Sequence, residues 1–164
     1  MTERKPEPRR AEIIAAYNRE RDALLDLFKR VDDSAWEKPS PCPGWSAKDL
    51  VAHMTNSATF IPTYVQWMLE GRPNQGKAAL DTRNEAGVQQ RRGRSLDELV
   101  NELKISHQRN IDLLLSLTDE QLAVQGALTN GELITVEDRF RRAGKHYREH
   151  GRMLARVAGL GEDY

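Results

Sequence analysis

Apolar residues recur at the helical period of about 3.6 residues in four separate stretches of this chain, and no stretch alternates apolar and polar residues long enough to make a sheet. Ile13, Ile14, Tyr17, Leu24, Leu25, Leu27, Phe28 and Val31 mark a first helix over about residues 8–31. A second is predicted from Ala47, behind the capping-box pair Ser46 and Asp49. Its stripe of Leu50, Val51, Met54, Ala58, Ile61, Val65, Met68 and Leu69 stops at Gly71-Arg72-Pro73. Pro62 deletes one backbone donor inside that helix and predicts a kink or tightening there. Ser95 with Glu98 opens a third helix carrying Leu96, Leu99, Val100, Leu103, Ile111, Leu114, Leu115 and Leu117. Thr135, with Asp138 three residues on, caps a fourth that buries Phe140, Ala143, Tyr147, Leu154 and Val157 and ends at Gly159.

The segments between these helices set the topology. Residues 71–94 are polar, are interrupted by Gly71, Pro73, Gly76, Gly87 and Gly93, and lack a sustained apolar period. They predict a long crossover with at most a short helix around Leu80 to Gln89. A turn at Thr118 to Gln121 and a polar loop through Asn130-Gly131 are expected before the fourth helix. The expected fold is all-α, a four-helix bundle forming one domain over residues 1–164, with 1–7 a disordered tail.

Lys plus Arg and Asp plus Glu both number 25, so no global field draws the chain to nucleic acid. The basic run Arg91-Arg92-Gly93-Arg94 has no interleaved aromatics and reads as a solvated loop. The polar, proline-containing start has no apolar signal core, and no run of apolar residues is long enough to cross a membrane, so a cytoplasmic protein without membrane attachment is expected. Cys42 has no second cysteine to pair with, and it sits between two prolines with no evident base to activate it.

Three of the four histidines fall where they can act together. His146 and His150 lie i and i+4 on the fourth helix and therefore on one face, where they can grip a single ion if a third ligand comes from a facing helix. His53 on the second helix is the candidate. It lies about 9 Å from the start of its helix, while His150 and His146 lie about 12 and 18 Å from the end of theirs. An antiparallel pairing of those two helices brings the rings to similar height, and a parallel pairing matches less well. Antiparallel pairing requires the crossover to leave the second and third helices parallel, giving the order up-down-down-up. Three neutral imidazoles on a divalent ion leave a coordination position open, which suits catalysis: the ion can activate water or a thiol, or polarise a carbonyl. Zinc and nickel both suit imidazole ligands.

Nearby residues suggest supporting roles. Asp49, one turn before His53, can orient its ring, although Asp49 also serves as the cap partner. Asn56, one turn after, can line the same cavity. Arg139 and Arg142, two turns and one turn before His146, can hold a substrate carboxylate or stand solvated.

The segment CysProGlyTrpSerAlaLysAspLeuValAlaHisMet at 42–54 and HisTyrArgGluHis at 146–150 resemble the two histidine motifs of the DinB-like superfamily, which includes the mycothiol-dependent maleylpyruvate isomerase N-terminal domains. The resemblance implies an up-down-down-up bundle, often a homodimer, with His53, His146 and His150 as ligands of a divalent metal. In the isomerase branch the first ligand on the last helix is a glutamate, and His146 here is closer to the general DinB-like pattern. The implied function is a small-molecule transferase or isomerase using a metal-activated low-molecular-weight thiol, or metal-assisted hydrolysis. The alternative is a metal-free protein that binds or sequesters a small molecule on the same bundle.

Overall fold

The computed structural model describes residues 7–161 and 164. Four long helices, α1 (Pro8–Arg30), α2 (Ala47–Leu69), α4 (Leu96–Ser116) and α6 (Val136–Val157), form the bundle. A helix α3 (Lys77–Gln89) lies in the crossover, and a one-turn helix α5 (Asp119–Leu122) follows α4. The start points follow from side-chain caps. Ser46 with Asp49, Ser95 with Glu98 and Thr135 with Asp138 all form complete capping boxes, as does Thr118 with Gln121 at α5. At α1 a proline in the first turn takes the place of a side-chain cap.

Contacts along the helices fix their directions. Thr55 reaches the Leu99 carbonyl and Thr59 pairs with Ser106, so α2 and α4 run parallel. Arg9 pairs with Glu137 and Tyr17 with Tyr147, so α1 and α6 also run parallel. His53 meets His146 while Tyr64 meets Arg139, which sets α2 against α6, and Asn18–His107 with Arg10–Leu117 sets α1 against α4. The order is up-down-down-up. Leu24, Leu50, Met54, Leu103, Phe140 and Leu154 belong to one core that runs the length of the bundle, each almost wholly removed from water.

Four expectations need correction. The segment read as a polar loop folds into an antiparallel ribbon, β1 (Gln125–Ala127) against β2 (Leu133–Thr135), whose three-residue strands are too short for alternation to show in the sequence. The turn at Thr118 is helix α5. Of the expected tail, residues 1–6 lie outside the described residues, whereas Glu7 is the N-cap of α1 and pairs with Arg10 at 2.7 Å. In the run 91–94, Arg92, Gly93 and Arg94 are exposed as expected, but Arg91 is not. Arg91 is only 7% exposed and binds Glu102, Asn56 and the Gly87 carbonyl, Arg92 binds Asp49, and Arg94 binds Glu102. These arginines fasten the end of the crossover to α2 and α4. No helix among the described residues is long and apolar enough to cross a membrane.

Pro62 sits inside α2, and its missing N–H strips the Ala58 carbonyl of its helical donor. Asn110 of α4 replaces it, donating from Nδ2 to the Ala58 oxygen at 2.9 Å. Asn110→Leu is therefore expected to cost about 1–3 kcal/mol, because the buried carbonyl loses its partner. Adding Pro62→Ala should recover part of that loss by restoring the helical N–H, a coupling that a double-mutant cycle in urea measures. Strict additivity of the two changes would contradict this account.

Candidate metal centre

The antiparallel pairing of α2 and α6 brings three imidazoles together. His53 Nε2 and His146 Nε2 are 3.1 Å apart, and one ring nitrogen from each of His53, His146 and His150 lies within 4.8 Å of the others. The ring centroids are 4.4–5.0 Å apart. Nitrogens bound to one tetrahedral ion at about 2.0–2.1 Å stand about 3.4 Å from one another, so the rings are close to ligating positions without rearrangement of the backbone. Two neutral rings can share at most one proton, whereas a cation meets three lone pairs at once. The Nδ1 atoms of His53 and His150 are buried with no hydrogen-bond partner among the described residues, so the chain itself does not saturate these rings.

Burial keeps the rings uncharged. It holds the His53 imidazole down to about 3, with His150 adding repulsion. Burial likewise sets His146 well below the usual histidine value, with contributions from His150 and His53, and lowers His150. Neutral imidazole is the ligating form. His107, the remaining histidine, is held to about 4 by burial; its ring packs tilted against Tyr17 with centroids 3.8 Å apart and its Nε2 meets Asn18, so it stands outside the cluster.

A pH prediction follows from all four. Each histidine takes up a proton near 6.5 when unfolded and only at lower pH when folded, so the unfolded state binds more protons below about 6.5. Metal-free protein should therefore lose stability as pH falls from about 6.5 to 5, at up to about 1.4 kcal/mol per pH unit for each histidine. Urea midpoints measured across that range check it; a flat profile would contradict the burial of neutral rings.

A cavity of about 310 Å³ opens beside His53 and His146. That volume suits a small metabolite. Tyr17 and Tyr147 lie on its α1–α6 side, their hydroxyls 3.0 Å apart, and burial raises both phenols so that they stay protonated. Of the expected neighbours, Asn56, Arg139 and Arg142 line the cavity. Asn56 is fixed by Arg91 at 2.9 Å, and Arg142 pairs with Glu132 at 2.8 Å. Asp49 does not orient His53: it accepts from the Ser46 backbone N–H and pairs with Arg92.

Two further residues matter, Trp45, which the sequence suggests as packing the entry to the second helix, and Arg83, which it does not single out. Trp45 lies with its ring centroid 5.0 Å from that of His53, held there by its Nε1–H donating to Glu85 at 2.8 Å. Arg83 of α3 forms part of the cavity wall, its guanidinium over Phe60, Tyr64 and Trp67. The Gly-Trp before the second helix was a visible signal for the first; nothing local marks the second.

Comparison with known proteins places this arrangement. The mycothiol-dependent maleylpyruvate isomerase and a histidine-to-alanine mutant of it each superpose with a TM-score of 0.68 at 15% identity, over 88% of this chain and 60% of theirs. The chain thus spans about three-fifths of the length of that enzyme. YfiT from Bacillus subtilis, described as a probable metal-dependent hydrolase with an unusual four-helix bundle topology, superposes with a TM-score of 0.71 at 19% identity, over 98% of this chain and 94% of that one. No curated protein matches in sequence. The model of the mycothiol maleylpyruvate isomerase N-terminal domain matches residues 17–143, which take in His53 and end before His146. With the bundle order and the matched segment in agreement, the chain belongs to the mycothiol maleylpyruvate isomerase N-terminal domain family, within the DinB-like superfamily.

Proposed function

We propose that His53, His146 and His150 hold one divalent ion, zinc or nickel, and that the protein acts on a small electrophilic molecule with the help of a low-molecular-weight thiol. The observation that carries this reading is the cluster of three neutral imidazoles opening onto a cavity of metabolite size. When bound, such an ion lowers the pKa of a thiol or water and polarises a carbonyl oxygen.

The chain's own residues do the rest. Trp45 packs against the His53 ring and limits its rotation. Tyr17 and Tyr147 keep protonated hydroxyls on the cavity side of α1 and α6; one donates to the other, which leaves a single O–H to donate to a substrate oxygen. Asn56, anchored by Arg91, offers a fixed amide to the same space. The resemblance to YfiT favours a second reading in which water replaces the thiol and the reaction is hydrolysis.

Metal-loaded protein given mycothiol and maleylpyruvate, or p-nitrophenyl acetate without thiol, separates the two. Thiol-dependent turnover supports the first reading, and ester hydrolysis without thiol supports the second. Failure of both, with and without metal, would overturn the enzymatic reading in favour of a metal-free ligand-binding bundle.

A further inference from the structure

The chain has no net charge, yet its cavity is strongly basic. Arg83, Arg139, Arg142 and Lys145 line it, against the single carboxylate of Glu149. Of the three arginines, only Arg142 has a carboxylate partner among the described residues. Arg139 and Arg83 instead share an aromatic ring, their guanidinium carbons 4.6 and 5.0 Å from the centroid of Tyr64. Arg83 also lies 4.5 Å from the Phe60 centroid and donates to the Tyr64 hydroxyl.

Stacking of this kind holds a guanidinium in place while leaving much of its N–H edge for a ligand. The Nε of Arg139 is buried and makes no hydrogen bond among the described residues. Burial lowers the pKa of Arg139, a sign that its charge is poorly solvated, and Arg142 adds repulsion. Two confined cations with no carboxylate partner among the described residues, and with a donor already withdrawn from water, call for an anion that accepts from both.

We propose that Arg139 and Arg83 form an anion subsite that takes the carboxylate or phosphate of a small molecule whose other end lies at the three histidines. The anion subsite stands on the arginines alone; the placement of the ligand's other end rests on the metal reading above.

The test uses the full-length protein after chelation, titrated by calorimetry with benzoate, phenyl phosphate and neutral benzamide. One of the two anions should bind about tenfold or more tighter than benzamide, as expected for charge-assisted hydrogen bonds. A preference for benzoate identifies a carboxylate site and a preference for phenyl phosphate a phosphate site. Arg139→Gln and Arg83→Gln should each remove the preference, whereas Lys77→Gln, on α3 but outside the cavity lining, should leave it. If Arg139→Gln fails to fold, Arg83→Gln decides. Equal binding of benzamide, no binding of either anion, or a preference that survives the arginine substitutions would overturn the proposal. Because no metal is present, failure here leaves the metal reading standing, and absence of metal from purified protein leaves the anion subsite standing.

Discussion

Replacing His146 with alanine is expected to weaken divalent-metal binding by more than about 100-fold while leaving the bundle folded. Loss of a residue that merely orients a ligand costs about 10–100-fold in affinity, so loss of one of only three ligands exceeds that range. His146 is also the ring whose Nε2 sits 3.1 Å from that of His53, so its removal leaves no compact three-nitrogen set. The effect on the metal-free protein should be different. There the ring is desolvated, and alanine is the better helix former, so thermal unfolding of chelated protein should be unchanged or raised. Competition titration with a chromophoric chelator gives the affinity and circular dichroism gives the midpoint. Unaltered affinity, or collapse of the chelated variant, would show that the histidines serve packing instead.

Phe140→Ala should produce the largest loss of stability, about 3–5 kcal/mol, through lost transfer energy and the cavity left behind. Phe140 is 2% exposed in the core, next in sequence to Arg139, one of the arginines that line the cavity. Against a total of about 5–15 kcal/mol for a domain, such a loss lowers the thermal midpoint by about 10 °C or more. A shift of only a few degrees would mean that α6 repacks freely, which is incompatible with α6 holding His146 and His150 at fixed height.

Much of this architecture is legible in the sequence because local signals agree with one another. Ser46, Ser95 and Thr135 each announce a helix that the apolar period then sustains, and all three boxes form. Matching the heights of His53, His146 and His150 selects the antiparallel pairing of α2 and α6, and with it the bundle order.

The crossover is harder to read because apolar periodicity does not hold it. In α3 only Gly87 and Val88 are buried, and polar contacts centred on Arg91 secure its end. Gly87 is the trace left in the sequence: a Cβ there would lie 2.2 Å from the Asn56 side chain, so helix and asparagine meet only at a glycine. A run of arginines ordinarily marks a solvated surface, and whether Arg91 is buried or Arg83 stacks over three rings depends on partners distant in sequence.

The central claim is that one divalent ion sits on three histidines. Elemental analysis of protein purified without an affinity tag, beside a His53→Ala/His150→Ala double variant, tests it most directly. The account predicts about one equivalent of zinc or nickel in the parent and almost none in the variant. A parent that holds no divalent metal even after reconstitution, or a variant that retains it, would contradict the claim.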